Sequence, residues 1–245
     1  MLYLYGITGA GALPETPPLG LEERAVAVLP FNGIAAVTGE LTAGRPEASE
    51  RHLREHFLVV EALMAHDTVL PVRFGTVFAG VAELREHLAR GHDVYASDLR
   101  RLRGLVELSV RAEKRRGMPA LPSGSEAAAA PADSGPGTRY LAERLALAAH
   151  GLARQREAQA LAAMLMERLA ADEAQVEWRA LALPSGAAGV SMAFLLPKER
   201  LDGFREAAGA LGSAAPDLDI LVTGPWPPYS FVSAPEAADA LSGIY

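Results

Sequence analysis

The sequence predicts an α+β protein of two domains, each a modified ferredoxin-like arrangement in which helices cover a mostly antiparallel sheet. The second half of the chain runs in the order strand, helix, strand, strand, helix, strand, which is the order of the split βαβ unit of ferredoxin-like domains. The first half has a related order with an added early hairpin. The length of 245 residues also suits two domains of roughly 100 to 120 residues each.

The first half begins with three predicted strands, at residues 2–7, 25–29 and 34–37. The last two flank Asn32-Gly33, a dipeptide typical of hairpin turns. After Pro46 the apolar residues recur at helical spacing, which predicts a helix of about five turns that ends near Asp67; the stripe consists of Leu53, Phe57, Val60 and Met64.

A two-residue period returns from Thr68 to Phe74 and predicts a fourth strand. Pro71 cannot donate a hydrogen bond to a ladder, so this strand is expected at a sheet edge or at a bulge. A second helix is predicted from Val81 to about Leu102. We place the domain boundary between Arg103 and Gly104, which gives domains 1–103 and 104–245.

The second half contains a strand at 105–110, a helix at 138–172, strands at 176–183 and 190–196, a helix at 198–211 and a strand at 218–222. Of the 21 residues at 117–137, 17 are Gly, Pro, Ala or Ser, so this segment is predicted to be a disordered insertion within the second domain. In the long helix an early stripe of Leu141 and Leu145 gives way to a later one of Leu161 and Leu165. Either the helix kinks near Gly151 or its halves pack on different partners.

Composition excludes several classes of function. The net charge of −7 argues against nucleic acid as a partner. The absence of cysteine removes disulfides, thiolate metal sites and cysteine nucleophiles, and suits an intracellular setting. There is no apolar run of membrane-spanning length, and the first residues lack the basic region of a secretory signal. We therefore expect a cytoplasmic protein without a membrane partner or a cofactor.

One motif suggests metal chemistry. His52, Glu55 and His56 match the H-x-x-E-H pattern of inverted zinc proteases, in which two histidines on one helix face hold zinc and the glutamate acts as a base. The pattern lacks an evident third ligand, and its alternative explanation is a helix face that borders the apolar stripe. The glycines Gly9 and Gly11 do not continue into a dinucleotide-binding fingerprint, because Pro14 replaces the third glycine.

Two further segments allow more than one interpretation. The basic residues between Arg100 and Arg116 form either a surface for an anionic partner or a solvated helix end beside the insertion. Gly224 to Phe231 carries three prolines and three aromatic residues, which impose an extended path with large contact area. This tail either binds a partner or seals the interface between the protein's own domains.

Two long motifs together resemble the gas vesicle protein L/F family. They are Thr68-Val-Leu-Pro-Val-Arg-Phe-Gly-Thr76 and Leu221-Val-Thr-Gly-Pro-Trp-Pro-Pro-Tyr-Ser-Phe-Val232, and the opening Tyr3-Leu-Tyr-Gly-Ile7 and Gly137-Thr-Arg-Tyr-Leu141 are similar to that family as well. The resemblance runs from about residue 2 to residue 232.

The resemblance implies a non-enzymatic accessory or minor structural protein of gas vesicle formation with two α+β domains. It also implies binding to the small, very hydrophobic major shell protein, contacts with other accessory proteins, and a place in the cytoplasm or on the gas-facing side of the shell. The family has no established catalytic residues.

We expect the partner-binding residues to be Pro71, Arg73, Phe74, Trp226 and Tyr229. The strand that contains Pro71 is then an exposed sheet edge to which the shell protein binds. These residues have an alternative role in folding, with Gly75 in a turn, Phe74 in the core and Trp226 at the domain seam. Two other functions stay open: a regulatory module that binds a small ligand between its domains, and a metal enzyme that uses His52, Glu55 and His56.

Overall fold

The computed structural model describes residues 1–10, 14, 16–42, 44–115, 136–170, 175–182 and 188–233. Within them the strands are β1 (Leu2–Gly9), β2 (Val26–Phe31), β3 (Ile34–Glu40), β4 (Val69–Pro71), β5 (Val77–Phe78), β6 (Leu105–Lys114), β7 (Gln175–Ala182), β8 (Ala188–Pro197) and β9 (Leu218–Trp226). The α-helices are α1 (Glu50–His66), α2 (Val81–Arg101), α3 (Pro136–Leu169) and α4 (Leu201–Ala214).

The strands form two sheets. The first has the order β2-β3-β1-β4, with β5 also paired to β1, and its pairings are antiparallel. The second has the order β7-β8-β6-β9. For a strand, helix, strand, strand, helix, strand sequence this is the ferredoxin-like order, because the two inner strands are the first and third. The predicted α+β fold is confirmed.

The contacts divide the chain into two compact units. The first comprises Met1–Leu108, Leu195–Glu199 and the residues from Gly224 on, and the second comprises Ser109–Phe194 and Arg200–Thr223. The single boundary between Arg103 and Gly104 stays a prediction, and the tail is grouped with the first unit. The predicted disordered insertion, 117–137, lies outside the described residues except for its last two, which begin α3.

The first unit is built around the predicted hairpin. Asn32 and Gly33 both have positive φ, at 44° and 86°, which is the geometry of the two-residue turn that matches the twist of paired strands. Helix α1 begins at Glu50, where Ser49 caps it by accepting a hydrogen bond from the His52 N–H. On one face of the sheet its buried residues Val59, Val60 and Leu63 form a core with the sheet residues Tyr3, Tyr5, Val26 and Val37.

The predicted strand from Thr68 to Phe74 is shorter than expected. It pairs only over β4, and the chain then turns through Arg73 to Thr76 before β5. Thr76 closes this turn by donating from its N–H and its Oγ1 to the Arg73 carbonyl, at 3.3 and 2.8 Å. The turn needs a left-handed residue, and Gly75 supplies it with φ 85°. A hydrophobic pattern alone does not reveal such an interruption.

Other predicted elements differ in extent. Strand β6 continues to Lys114 instead of ending at Val110, whereas α2 ends at Arg101, close to its predicted end. The predicted helix from 198 begins with a 3₁₀ turn, Lys198–Arg200, before α4. The last strand, predicted to end at Val222, continues to Trp226, so the start of the tail is itself part of the sheet. The second unit buries the later stripe of α3, as predicted, at Ala158, Leu161, Leu165 and Leu169.

Candidate functional site

A buried histidine joins the core of the first unit to the tail. The His56 Nδ1 atom lies 2.8 Å from the Tyr3 hydroxyl, and its Nε2 atom lies 3.3 Å from the Tyr229 hydroxyl. The ring also stacks on Tyr5, with 5.8 Å between ring centroids, and meets the edge of Phe74 at 5.9 Å. His56 therefore connects α1, β1, the turn after β4 and the tail.

This environment keeps His56 neutral. Burial lowers the pKa of His56 to about 4, a shift that the nearby Val72 carbonyl partly opposes. A neutral imidazole has one donor nitrogen and one acceptor nitrogen. A tyrosine hydroxyl can both donate and accept a hydrogen bond, so Tyr3 and Tyr229 can satisfy the two nitrogens. Burial likewise raises the pKa of Tyr3 and of Tyr229, and both phenols stay protonated. The cluster is a satisfied network of neutral groups.

The turn after β4 is fastened to the same network. The Gly75 N–H donates to the Tyr3 hydroxyl at 3.1 Å, and the Gly75 carbonyl accepts from Arg45 Nε at 2.9 Å. The Leu4 N–H donates to the Thr76 carbonyl at 2.9 Å. The motif Thr68–Thr76 is thus bonded to β1, and through Phe74 it contacts His56, which also binds the tail. The predicted folding roles of Gly75 in a turn and Phe74 in the core agree with these positions.

The tail is anchored a second time by a buried carboxylate. Glu107 on β6 accepts from the Ser230 N–H at 2.8 Å and from the Ser230 Oγ at 2.9 Å. Burial raises the pKa of Glu107, and the two bonds from Ser230 oppose that shift. The two hydrogen bonds from Ser230 fix the 3₁₀ turn Tyr229–Phe231 beside β6.

A third anchor lies at the end of α2. Asp98 accepts from the Ser233 N–H at 2.6 Å and from Arg101 Nη2 at 2.8 Å. The same Arg101 nitrogen donates to the Phe231 carbonyl at 2.6 Å. We call the segment Tyr229–Ser233, with its partners His56, Asp98, Arg101 and Glu107, the tail anchor.

The motif that suggested zinc does not assemble as a metal site. His56 points into the core, while His52 Nδ1 lies 2.9 Å from the Glu47 carbonyl and Glu55 pairs with Arg51 at 2.8 Å. Within the described part of the chain, no three His, Asp or Glu side chains come together in a way that would hold a metal ion. The spacing of four residues brings His52 and His56 close together along α1, but their rings make hydrogen bonds to different groups.

The structure brings together two of the five residues expected to bind a partner. Phe74 and Tyr229 are half-buried and meet at His56, whereas Arg73 and Trp226 are exposed. Pro71 lies on an edge strand, as predicted, but the strand is buried because α1 and α2 both pack against it. The expectation that this edge is exposed was therefore wrong.

Sequence reasoning missed the acidic residues of the tail anchor. Glu107 carried a signal, because it stands in the apolar strand Leu105–Val110, where its side chain faces opposite to Val106 and Leu108. An ionisable residue inside such a run indicates a buried partner. Asp98 gave a weaker signal through its spacing of three residues from Arg101 on α2.

The helices of the described residues include none that is both long enough and apolar enough to cross a membrane. Over residues 1–233 the chain matches the family model described as gas vesicle synthesis protein GvpL/GvpF.

Two relatives come from Streptomyces sp. (strain CB03234). The chain is 31% identical to gas vesicle protein L, over 96% of this chain and 93% of that protein, and 32% identical to gas vesicle protein F, over 94% and 98%. The crystal structure of gas vesicle protein GvpF from Microcystis aeruginosa has the same fold, with a TM-score of 0.75 at 20% identity over 95% of this chain and 99% of that one. This chain is a member of the gas vesicle synthesis protein family GvpL/GvpF.

Proposed function

We propose that this protein binds the hydrophobic major shell protein of gas vesicles and assists its assembly without catalysing a reaction. The observation that carries the proposal is the match to a gas vesicle synthesis family over residues 1–233. A shell subunit with much apolar surface associates prematurely unless another protein covers that surface. We place this action in the cytoplasm and at the growing gas vesicle, where other accessory proteins are further partners.

The exposed members of the expected partner-binding set remain proposed contacts. The carbonyl of Arg73 is used in the turn after β4, while its side chain is exposed. The Trp226 side chain is 42% exposed at the end of β9, although it also has local interactions. Large aromatic and arginine side chains at a surface are frequent anchors of protein interfaces.

Co-expression tests the proposal. A tagged copy of this chain is produced together with the major shell protein, and the amount of shell protein that stays soluble and co-purifies is measured. We expect co-purification in a stoichiometric ratio. Aggregated shell protein beside a free, folded chain would contradict direct binding.

Two single substitutions then separate contact from scaffold. Arg73→Ala is expected to reduce co-purification with an unchanged melting temperature, because its side chain is exposed and the carbonyl of the turn remains. Trp226→Ala is compared in the same way. Reduced binding that follows a loss of stability in both variants would assign these residues to folding instead.

A further inference from the structure

The first sheet has two edges, and they differ in exposure. Strand β4 is buried along its whole length. Strand β2 lies at the other edge and pairs, among the described residues, with β3 alone. Several of its side chains are exposed or half-exposed, with Val26 the buried exception. The accessible edge of this sheet is therefore β2.

The hairpin register shows which backbone groups of β2 point outward. Phe31 pairs with Ile34 across the two-residue turn, and the residues that flank such a turn exchange hydrogen bonds with each other. Pairs alternate along an antiparallel ladder, so Leu29 and Ala27 also bond to β3. The N–H and C=O groups of Val26 and Val28 then face away from the sheet.

The partner strand gives an independent check of this alternation. The Ala10 N–H donates to the Gly33 carbonyl, which starts the ladder between β1 and β3. Two residues further along, Ala35 and then Val37 therefore bond to β1, and their opposite residues in β2 are Pro30 and Val28. Both ladders thus place Val28 and Pro30 in pairs that do not bond across β2 and β3.

Pro30 fits this position because the N–H that it lacks would have faced outward. Proline in a sheet is confined to such edge positions, where it also limits uncontrolled pairing with other chains. A partner strand can therefore form only a short ladder with this edge. Val26 and Val28 each supply a backbone donor and an acceptor to it, and Pro30 supplies an acceptor alone. Its hydrogen-bonding groups suit one short strand rather than an extended stack.

An apolar groove lies against β2 on one face of the sheet and reaches across β3 to β1. It has a volume of about 520 Å³, and its walls include Leu2, Ala27, Leu29 and Val81, with Arg24 and Glu40 among its charged members. Ala27 and Leu29 are on the face opposite to Val26, because side chains alternate along a strand. Side chains at alternate positions of a strand added to β2 would enter this groove.

We propose that the outer edge of β2 is a docking site for one extended strand of a partner polypeptide with apolar side chains at alternate positions. The backbone groups of β2 that face outward select an extended backbone, and the groove selects apolar side chains. A second copy of this chain fits less well if it pairs through its own β2. Such a pairing either includes Pro30, which has no N–H to donate, or stops at Val28 and is then very short. The site rests on the proposed function, in which the partner is the shell protein.

Two variants at one position isolate the backbone contact. Val28→Pro deletes the outward N–H, whereas Val28→Ala removes the same branched side chain and keeps the N–H. Neither change removes a hydrogen bond to β3. A third variant, Ala27→Glu, places a charged side chain in the groove and leaves the backbone intact. Each variant is co-expressed with the major shell protein, and capture, melting temperature and the oligomeric state of the free chain are measured.

We expect Val28→Pro and Ala27→Glu to capture about tenfold less shell protein than the wild-type chain, with Val28→Ala close to wild type. Wild-type capture by a folded Val28→Pro variant, or an equal loss in Val28→Ala, would overturn strand pairing. If Val28→Pro does not fold, Ala27→Glu decides, and unchanged capture overturns the site. A wild-type dimer that Val28→Pro dissociates would assign the edge to a second copy and overturn the proposal as well.

The wild-type arm separates the two proposals. Capture by the wild-type chain that none of these variants alters contradicts the docking site and leaves the proposed function standing. A wild-type chain that captures no shell protein contradicts the proposed function, and the docking site falls with it.

Discussion

His56 shows how a single side chain connects separate parts of this protein. Its two nitrogens lie beside the hydroxyls of Tyr3 and Tyr229, which belong to the first strand and to the tail. Because the ring is buried, its neutral form is strongly favoured. The stability of the first unit should therefore depend on pH through this residue.

The first prediction concerns that pH dependence. The folded-state pKa of His56 is lowered to about 4 from 6.5, so the unfolded chain binds a proton more readily between these values. Stability is complete above about pH 6.5 and falls as the pH drops towards 4. The full effect is about 3 kcal/mol. His56→Gln lacks the titrating ring, and its melting temperature should fall less than that of the wild-type chain over this window. Parallel curves for the two proteins would contradict a buried neutral histidine.

A second prediction concerns the turn after β4. Gly75 has φ 85°, and a Cβ there would also lie 3.0 Å from Arg45 Nε. Gly75→Ala should lower the free energy of unfolding by roughly 1 to 2 kcal/mol, because L side chains disfavour this backbone conformation. Gly44→Ala is a matched control, since nothing lies within 4 Å of the added Cβ and its φ is ordinary. Chemical denaturation measures both, and equal effects would contradict a requirement for the left-handed conformation.

At the scale of elements, the tail anchor combines parts that lie far apart in sequence. Ser230 reaches Glu107 on β6, and Ser233 reaches Asp98 on α2. The sequence showed the tail as a rigid aromatic segment, and it showed the order of strands and helices that defines the second sheet. It did not show the pairing of tail and acidic residues, because hydrogen bonds across more than a hundred residues leave no local periodicity.

The same limit applies to the sheet edges. Pro71 correctly indicated a strand at the edge of the sheet. That strand is nevertheless buried, because two helices pack over it. Pro30 stands in the other edge strand, where its surroundings leave it exposed. A proline identifies an edge from its own chemistry, whereas burial depends on the packing of distant elements.

A third prediction tests the tail anchor. Glu107→Ala and Ser230→Ala, alone and combined, form a double-mutant cycle for the side-chain bond of 2.9 Å. We expect a coupling energy of about 1 kcal/mol or more, since the bond is partly buried and its acceptor is a carboxylate. Urea denaturation of the four proteins gives this value. Strict additivity of the two single losses would show that the contact contributes nothing to stability.

At the scale of the whole molecule, the proposed binding role rests on family membership and on the exposed edge strand of the first unit. The chain matches the gas vesicle synthesis family over residues 1–233, and His56 of the candidate metal motif lies in a hydrogen-bonded network with Tyr3 and Tyr229. Such a network gives rigidity to a scaffold on which an exposed edge strand and groove are displayed. We propose that this scaffold holds the shell protein in solution.

The most direct test dilutes purified, denatured shell protein into buffer that contains an equimolar amount of this chain and measures the shell protein left in the supernatant after centrifugation. We expect the shell protein to stay soluble in a complex with this chain, whereas the Val28→Pro variant leaves most of it in the pellet. Equal pelleting with and without the wild-type chain, with that chain free in the supernatant, would show that this protein does not hold the shell protein in solution.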